Sequence, residues 1–346
     1  MNAHHIILQG TFHLETGDIL ENIEITYHTM GTLTADSKVV WICHALTANS
    51  DAEEWWPGMV GEGKFFNGQD YFIVCANVIG SCYGTTGPLS VNPRTRNPYF
   101  GDFPCVTVRD MVAAHNKLRE YLGINKIYAV IGSSIGGFQA IEYAMLIPDR
   151  IERLVLIATN CRVTPWGTAF NEAQRMSIFA DRTYFDNTPE GGLEGMKAAR
   201  AAALLSYRSY DGYNKTQYEE NEDIIFAERA ASYEKYQGKK LADRFNAYSY
   251  VIMTKAFDSH NTGRLRGGIE KALASLKVKT LLTGIDSDIL FPVTELKFMH
   301  RNIPDSQYAE LSSVFGHDGF LLESEQLSAI IHDFFSLPAQ PAQLDH

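Results

Sequence analysis

Ser134 sits in Gly132-Ser133-Ser134-Ile135-Gly136-Gly137, directly after the apolar run 127–131 and before a stretch of helical character. Glycines two residues to either side let the chain reverse sharply, and the turn lifts the serine hydroxyl above a sheet edge at the positive end of a helix. A serine hydroxyl becomes a nucleophile only when a base takes its proton and an acid orients that base. Both partners stand later in the chain. The strand-like run 280–285 ends in Asp286-Ser287-Asp288, and the strand-like run 308–311 leads to His317 in a glycine-flanked loop. His317 is the candidate base, and both Asp286 and Asp288 are within reach as the acid. Serine, aspartate and histidine in that order, each at a strand end, point to attack on an acyl carbonyl. The attack builds an oxyanion that needs two backbone donors. One is the N–H of Ile135, the residue after the serine. The other comes from the loop 44–50, which follows the apolar run 39–43, with Leu46 as the candidate.

Holding these residues together takes a sheet with helices on both faces. The runs 39–43, 71–75, 127–131, 154–157 and 278–282 are almost continuously apolar, as strands of a covered parallel sheet are. The first thirty residues alternate instead, as in Ile23-Glu24-Ile25-Thr26-Tyr27, and read as an antiparallel hairpin at the sheet edge. Between the second and third runs, Val108, Met111, Val112, His115, Leu118 and Leu122 fall on one stripe of a helix that starts at Thr107 and closes at Gly123. This alternation is a doubly wound α/β fold. It stops near Cys161. From there to Gly268 the chain is helical in character, most plainly over 195–205 and 224–236. The sheet-bearing core thus comes in two segments, residues 1–161 and residues 269–336. Between them a helical lid, residues 162–268, is laid across the carboxyl edge of the sheet, and residues 337–346 form a loose tail.

Composition narrows the function. A chain of 346 residues, 45% hydrophobic and 21% charged, buries a large core, and a net charge of −11 argues against nucleic acid or an anionic membrane as the main partner. No apolar run approaches the roughly 20 residues of a membrane helix. The start, Met1-Asn2-Ala3-His4-His5, has neither the basic flank nor the apolar stretch of a signal peptide. Five cysteines without CxxC spacing read as buried free thiols in a reducing cytoplasm. The eleven histidines show no metal-ligand spacing beyond His4-His5, so no metal is expected.

Several segments together resemble the homoserine O-acetyltransferases of methionine biosynthesis. They are Cys43-His44-Ala45-Leu46-Thr47, Trp55-Trp56, Gly80-Ser81-Cys82-Tyr83-Gly84-Thr85-Thr86-Gly87-Pro88, Val106-Thr107-Val108-Arg109-Asp110, the serine turn, Ser287-Asp288-Ile289-Leu290-Phe291-Pro292 and His317-Asp318-Gly319-Phe320-Leu321. In the lid, Phe170-Asn171-Glu172 with Arg175, and 232–238, match as well. The resemblance spans nearly the whole chain. It implies an α/β-hydrolase fold with an inserted helical lid, and Asp288 as the acid in preference to Asp286. It also implies that Arg200, Tyr207 and Asp318 hold the amino-acid substrate, the arginine gripping its carboxylate and the aspartate its ammonium. The activity implied is acetyl transfer from acetyl-CoA, a co-substrate rather than a bound cofactor, to L-homoserine through an acyl-serine, in a homodimer joined by lid helices. Succinyl-CoA or L-serine as co-substrate, and an esterase or thioesterase with the same triad, are the alternatives. Two departures stand out. The family usually shows Gly and Met where this chain has Ser133 and Ile135, a change expected to reshape the acyl pocket, and Asn246 and Tyr248 replace the common Asp and Asn. Nothing in the sequence locates a surface for CoA.

Overall fold

The computed structural model describes residues 1–338, so most of the expected tail, 339–346, lies outside the described residues. Its strands are β1 (Asn2–His13), β2 (Ile19–Met30), β3 (Val39–Cys43), β4 (Phe72–Ala76), β5 (Ala129–Ser133), β6 (Arg153–Ile157), β7 (Lys279–Ile285) and β8 (Ser306–Leu311). They form one sheet in the order β1-β2-β4-β3-β5-β6-β7-β8. The hairpin β1–β2 and the pair β2–β4 are antiparallel, and every pair from β4 to β8 is parallel. Every residue of β3, β4, β5 and β6 is buried, as the apolar runs require, whereas the edge strand β8 buries only Leu311. Alternation along β3 sends Val39, Trp41 and Cys43 into one core cluster and Val40 and Ile42 into another on the opposite face. From β3 the chain steps to β4 on one side and then crosses to β5 on the other. That reversal opens a crevice at the carboxyl ends of β3 and β5, where the loop 44–50 and the serine turn lie.

The core helices before the insertion are α1 (Ala52–Trp55), α2 (Val108–Tyr121) and α3 (Ile135–Leu146). Thr107 caps α2 reciprocally with Asp110, a motif that contributes about 1 kcal/mol. Five helices follow β6: α4 (Pro165–Ala180), α5 (Leu193–Tyr207), α6 (Tyr210–Gln217), α7 (Arg229–Ala242) and α8 (Ala247–Asp258). The remaining helices are α9 (Ile269–Ala274), α10 (Val293–Asn302), α11 (Gly319–Leu322) and α12 (Ser324–Ser336).

Two expectations are corrected in detail. The strand expected at 127–131 forms two residues later, because Gly132 pairs with Cys43 and Ser133 with Ile157 on the flanking strands. The helix expected from Ile224 begins only at Arg229. Ile225 (88% exposed) and Phe226 (79%) have nothing to pack against, and the carboxylate of Glu219 accepts the N–H groups of Glu228 and Arg229 at the point where the helix starts. Among the cysteines, Cys43, Cys75 and Cys161 are buried free thiols, but Cys105 is exposed.

Candidate active site

Ser134 is the residue between β5 and α3, and its backbone is held in an unusual conformation, φ 56° and ψ −129°. A non-glycine residue there stores strain of about 1–3 kcal/mol, which the surroundings must hold in place. They do so by close approach. A Cβ on Gly132 would lie 2.0 Å from the Gly136 carbonyl oxygen, and one on Gly136 would lie 2.2 Å from that of Cys43. The Ser134 N–H donates to the carbonyls of Ile157 and Ala158 on the neighbouring strand, and the Thr159 hydroxyl donates to the Ser134 carbonyl at 2.7 Å. The side chain meanwhile faces a cleft of about 340 Å³.

His317 lines the same cleft, and its Nδ1 lies 2.7 Å from Oδ2 of Asp288, both side chains being buried. Asp288 Oδ1 accepts the N–H groups of Leu290 (2.8 Å) and Phe291 (2.9 Å), so both carboxylate oxygens are committed and the carboxylate is fixed. Asp286 turns the other way and accepts from the Ser312 hydroxyl and the Ser313 N–H, bracing the loop after β8. The two aspartates that spacing alone leaves equivalent therefore differ in what they touch. Burial pulls the His317 pKa down, but the Asp288 charge and hydrogen bond, with Asp318 behind them, outweigh it and leave the pKa raised. No hydrogen bond joins Ser134 to His317 among the described residues. Apo catalytic hydrogen bonds are often long and tighten only with substrate in place.

Leu46 lines the cleft, and neither its N–H nor that of Ile135 has a protein acceptor among the described residues. The first N–H groups of a helix lack intrahelical partners, which leaves Ile135 at the start of α3 free to donate. Its side chain contradicts the expectation of a reshaped acyl pocket. Ile135, the first residue of α3, is fully buried in the main core cluster and is not part of the cleft lining. The apolar lining comes from Leu46, Trp55, Phe320 and Leu321 instead.

Arg200, Tyr207 and Asp318 reach the same cleft, with the Arg200 guanidinium 5.3 Å over the Tyr207 ring and that ring 5.8 Å from His317. Burial raises the Tyr207 pKa, so the phenol stays protonated and able to donate. Three residues outside the sequence-derived set belong here too. Arg208 Nε lies 3.1 Å from Asp318 Oδ2, although its N–H is not aligned for a hydrogen bond, and Nη2 donates to the Tyr233 hydroxyl. Lys240 and Arg244 line the mouth. His44, at the start of the loop 44–50, is fully buried. Its Nε2 accepts the Val78 N–H, which puts the ring proton on Nδ1, donating to the Ala45 carbonyl. Burial lowers the His44 pKa to about 4, so it holds the loop as a neutral ring.

Comparison with known proteins agrees with this arrangement. The chain matches the alpha/beta hydrolase fold family over residues 38–324. It is 44% identical over 330 residues to a homoserine O-acetyltransferase of Cyclobacterium marinum, covering 94% of this chain and 93% of the relative. The chain belongs to the homoserine O-acetyltransferase family. The solved homoserine O-acetyltransferase from Staphylococcus aureus superposes with a TM-score of 0.81 at 26% identity, covering 99% of this chain and 97% of that one. Esterase E22 superposes with a higher TM-score, 0.87, at 26% identity over 97% of this chain and all (100%) of that one. A member of the homoserine O-acetyltransferase family thus shares its scaffold with an esterase, and the backbone alone does not separate transfer from hydrolysis. Among the described residues, no helix is long and apolar enough to cross a membrane, and no three His, Cys, Asp or Glu side chains are grouped to hold a metal ion.

Proposed function

We propose that this enzyme moves an acetyl group from acetyl-CoA to the hydroxyl of L-homoserine, by double displacement through Ser134. The observation that carries the reading is a single cleft holding Ser134 and His317 together with the charged pair Arg200 and Asp318, in a chain 44% identical to a homoserine O-acetyltransferase. His317, oriented through Nδ1 by Asp288, takes the Ser134 proton at Nε2. The serine oxygen attacks the thioester carbon, and the oxyanion accepts from the N–H groups of Leu46 and Ile135. When the tetrahedral intermediate collapses, the C–S bond breaks and His317 returns its proton to the departing CoA sulfur.

In the second half, Arg200 grips the α-carboxylate of homoserine while Asp318 holds its α-ammonium, and Tyr207 donates from the side. The γ-hydroxyl gives its proton to His317 and attacks the acyl-serine carbonyl. The O-acetyl ester leaves and Ser134 regains its proton. The inserted helices act as a lid that keeps the acyl-serine away from water until the amino acid arrives. The exposed Tyr210, Ile225 and Phe226 give a second copy of the chain a surface to cover, in keeping with a homodimer.

The experiment is a matrix of acetyl- and succinyl-CoA against L-homoserine and L-serine, with free thiol followed in time. Thiol release with acetyl-CoA that requires homoserine is the expected result. Release at the same rate without any amino acid makes the protein a hydrolase with water as acceptor, as the name of esterase E22 describes for that protein.

A further inference from the structure

The segment 82–88 takes no part in the nucleophile, base and acid geometry, yet it is fastened at many points. The hydroxyls of Thr85 and Thr86 accept the N–H groups of Thr26 (3.0 Å) and Glu24 (2.8 Å) on β2. Gly84, with φ 82°, lies so close to β2 that a Cβ would come 2.5 Å from the Thr26 hydroxyl. Asn77 donates to the Tyr83 carbonyl at 2.7 Å. It also donates to the Ser50 hydroxyl and accepts the Ser50 N–H, both at 2.8 Å. One buried amide therefore ties the segment to the far end of the oxyanion loop.

From this frame the segment reaches the turn between α7 and α8. The Cys82 thiol donates to the Arg244 carbonyl at 3.7 Å, and the Tyr83 ring meets Phe245 edge-on with centroids 5.8 Å apart. Arg244 Nη1 donates to the Tyr83 hydroxyl and, at 2.6 Å, to the carbonyl of Thr47. That carbonyl belongs to the residue directly after Leu46. Three stretches distant in sequence thus meet at one guanidinium in the cleft wall.

We propose that Arg244 is a positioning residue of the oxyanion hole, and that the segment 82–88 exists to hold it there. A backbone N–H stabilises a developing oxyanion only if it is aimed in advance, and loop peptides rotate readily unless a neighbour is pinned. A charge-assisted hydrogen bond to the Thr47 carbonyl pins the 47–48 peptide, two peptide units beyond the one that carries the Leu46 N–H, and so restrains the loop just past the donor. The proposal rests on the reading that the Leu46 N–H serves the oxyanion. Because an oxyanion forms in both halves of the reaction, the defect caused by losing Arg244 must appear in both. Loss of Arg200 should touch only the half that uses the amino acid.

The test uses Arg244→Gln, Arg244→Lys and Tyr83→Phe in the full chain, with p-nitrophenyl acetate as a probe that needs neither CoA nor amino acid. Arg244→Gln should slow the acylation burst and lower kcat of transfer by a common factor of about 10–100, with both KM values nearly unchanged. Arg244→Lys should recover some of that loss. Tyr83→Phe should cost about fivefold with the melting temperature preserved. An unchanged burst in Arg244→Gln overturns the proposal. So does a raised KM for acetyl-CoA with kcat intact, which would make Arg244 a contact to the donor. If Arg244→Gln does not fold, Tyr83→Phe decides alone, and an unchanged burst there is equally fatal. A burst that requires Ser134 but is never followed by transfer to homoserine would sink the acyl-transfer reading and leave this one standing.

Discussion

The two walls of the cleft are held in different ways. On the sheet side, position is set by backbone. Ser134 is locked between glycines that nearly touch their neighbours, Asp288 accepts two peptide N–H groups, and His44 bonds two peptides at once. On the helical side, position is set by side chains gripping side chains. Arg200 lies over Tyr207, Arg208 spans Asp318 and Tyr233, and Tyr213 donates to Glu234. Backbone contacts survive most substitutions, whereas a side-chain grip is lost with a single change. On the proposed reading, the acyl chemistry is held mainly by the sheet and the choice of acceptor by side chains of the helical side.

The contrast is tested most severely at Ser134. Ser134→Ala should lower acyl transfer by about 10⁴-fold or more. Ser134→Gly, equally inactive, should be more stable than the parent by about 1 kcal/mol because it relieves the strained φ. Thermal unfolding checks this, and a destabilised glycine variant would mean that the turn holds no strain. Next in size, Asp288→Asn should cost about 10³–10⁴ in kcat through loss of ring orientation. It should also remove the main influence that raises the His317 pKa.

On the helical wall, Arg244 apart, the effects should be smaller and confined to one half-reaction. Arg200→Gln should raise the KM for homoserine by about 10–100-fold, the worth of a bidentate charge-assisted contact, and leave the p-nitrophenyl acetate burst alone. A slower burst in that variant would erase the distinction between the walls. The pH dependence follows from His317. The base works when neutral and its pKa is raised, so kcat/KM should fall as pH drops through a midpoint above the usual 6.5, by about tenfold per unit. Asp288→Asn should move that midpoint down. Smallest of all, Ile225→Ser with Phe226→Ser should alter the stability of an isolated chain by no more than about 0.5 kcal/mol. A larger, concentration-dependent loss of stability would show that a second chain covers them.

The sheet wall is the more legible in sequence, because it is held by backbone contacts that local sequence signals announce. Glycines at 132 and 136 announce a tight turn, continuous apolar runs announce covered strands, and strand ends announce where loops carry chemistry. The choice between Asp286 and Asp288 is not legible from spacing, since they are two residues apart and only hydrogen bonding distinguishes them. Arg208, Tyr83 and Arg244 are illegible for a different reason. Their partners stand 110, 161 and 197 residues away, and an arginine in a helical stretch looks like any solvated one. The stretch from Ile224 misleads because its apolar residues suggest a packed helix where the chain leaves them in the open.

His44 has a consequence for how the enzyme responds to acid. Two histidines serve the same edge, one with its pKa lowered to about 4 and the other with its pKa raised. Of the two, only His317 changes charge between those limits, so its proton should give the acid limb a slope near one. The hydrogen bonds that His44 makes under the loop 44–50 should persist while His317 becomes protonated. Activity lost on mild acidification should return in full, and without a lag, when the pH is restored.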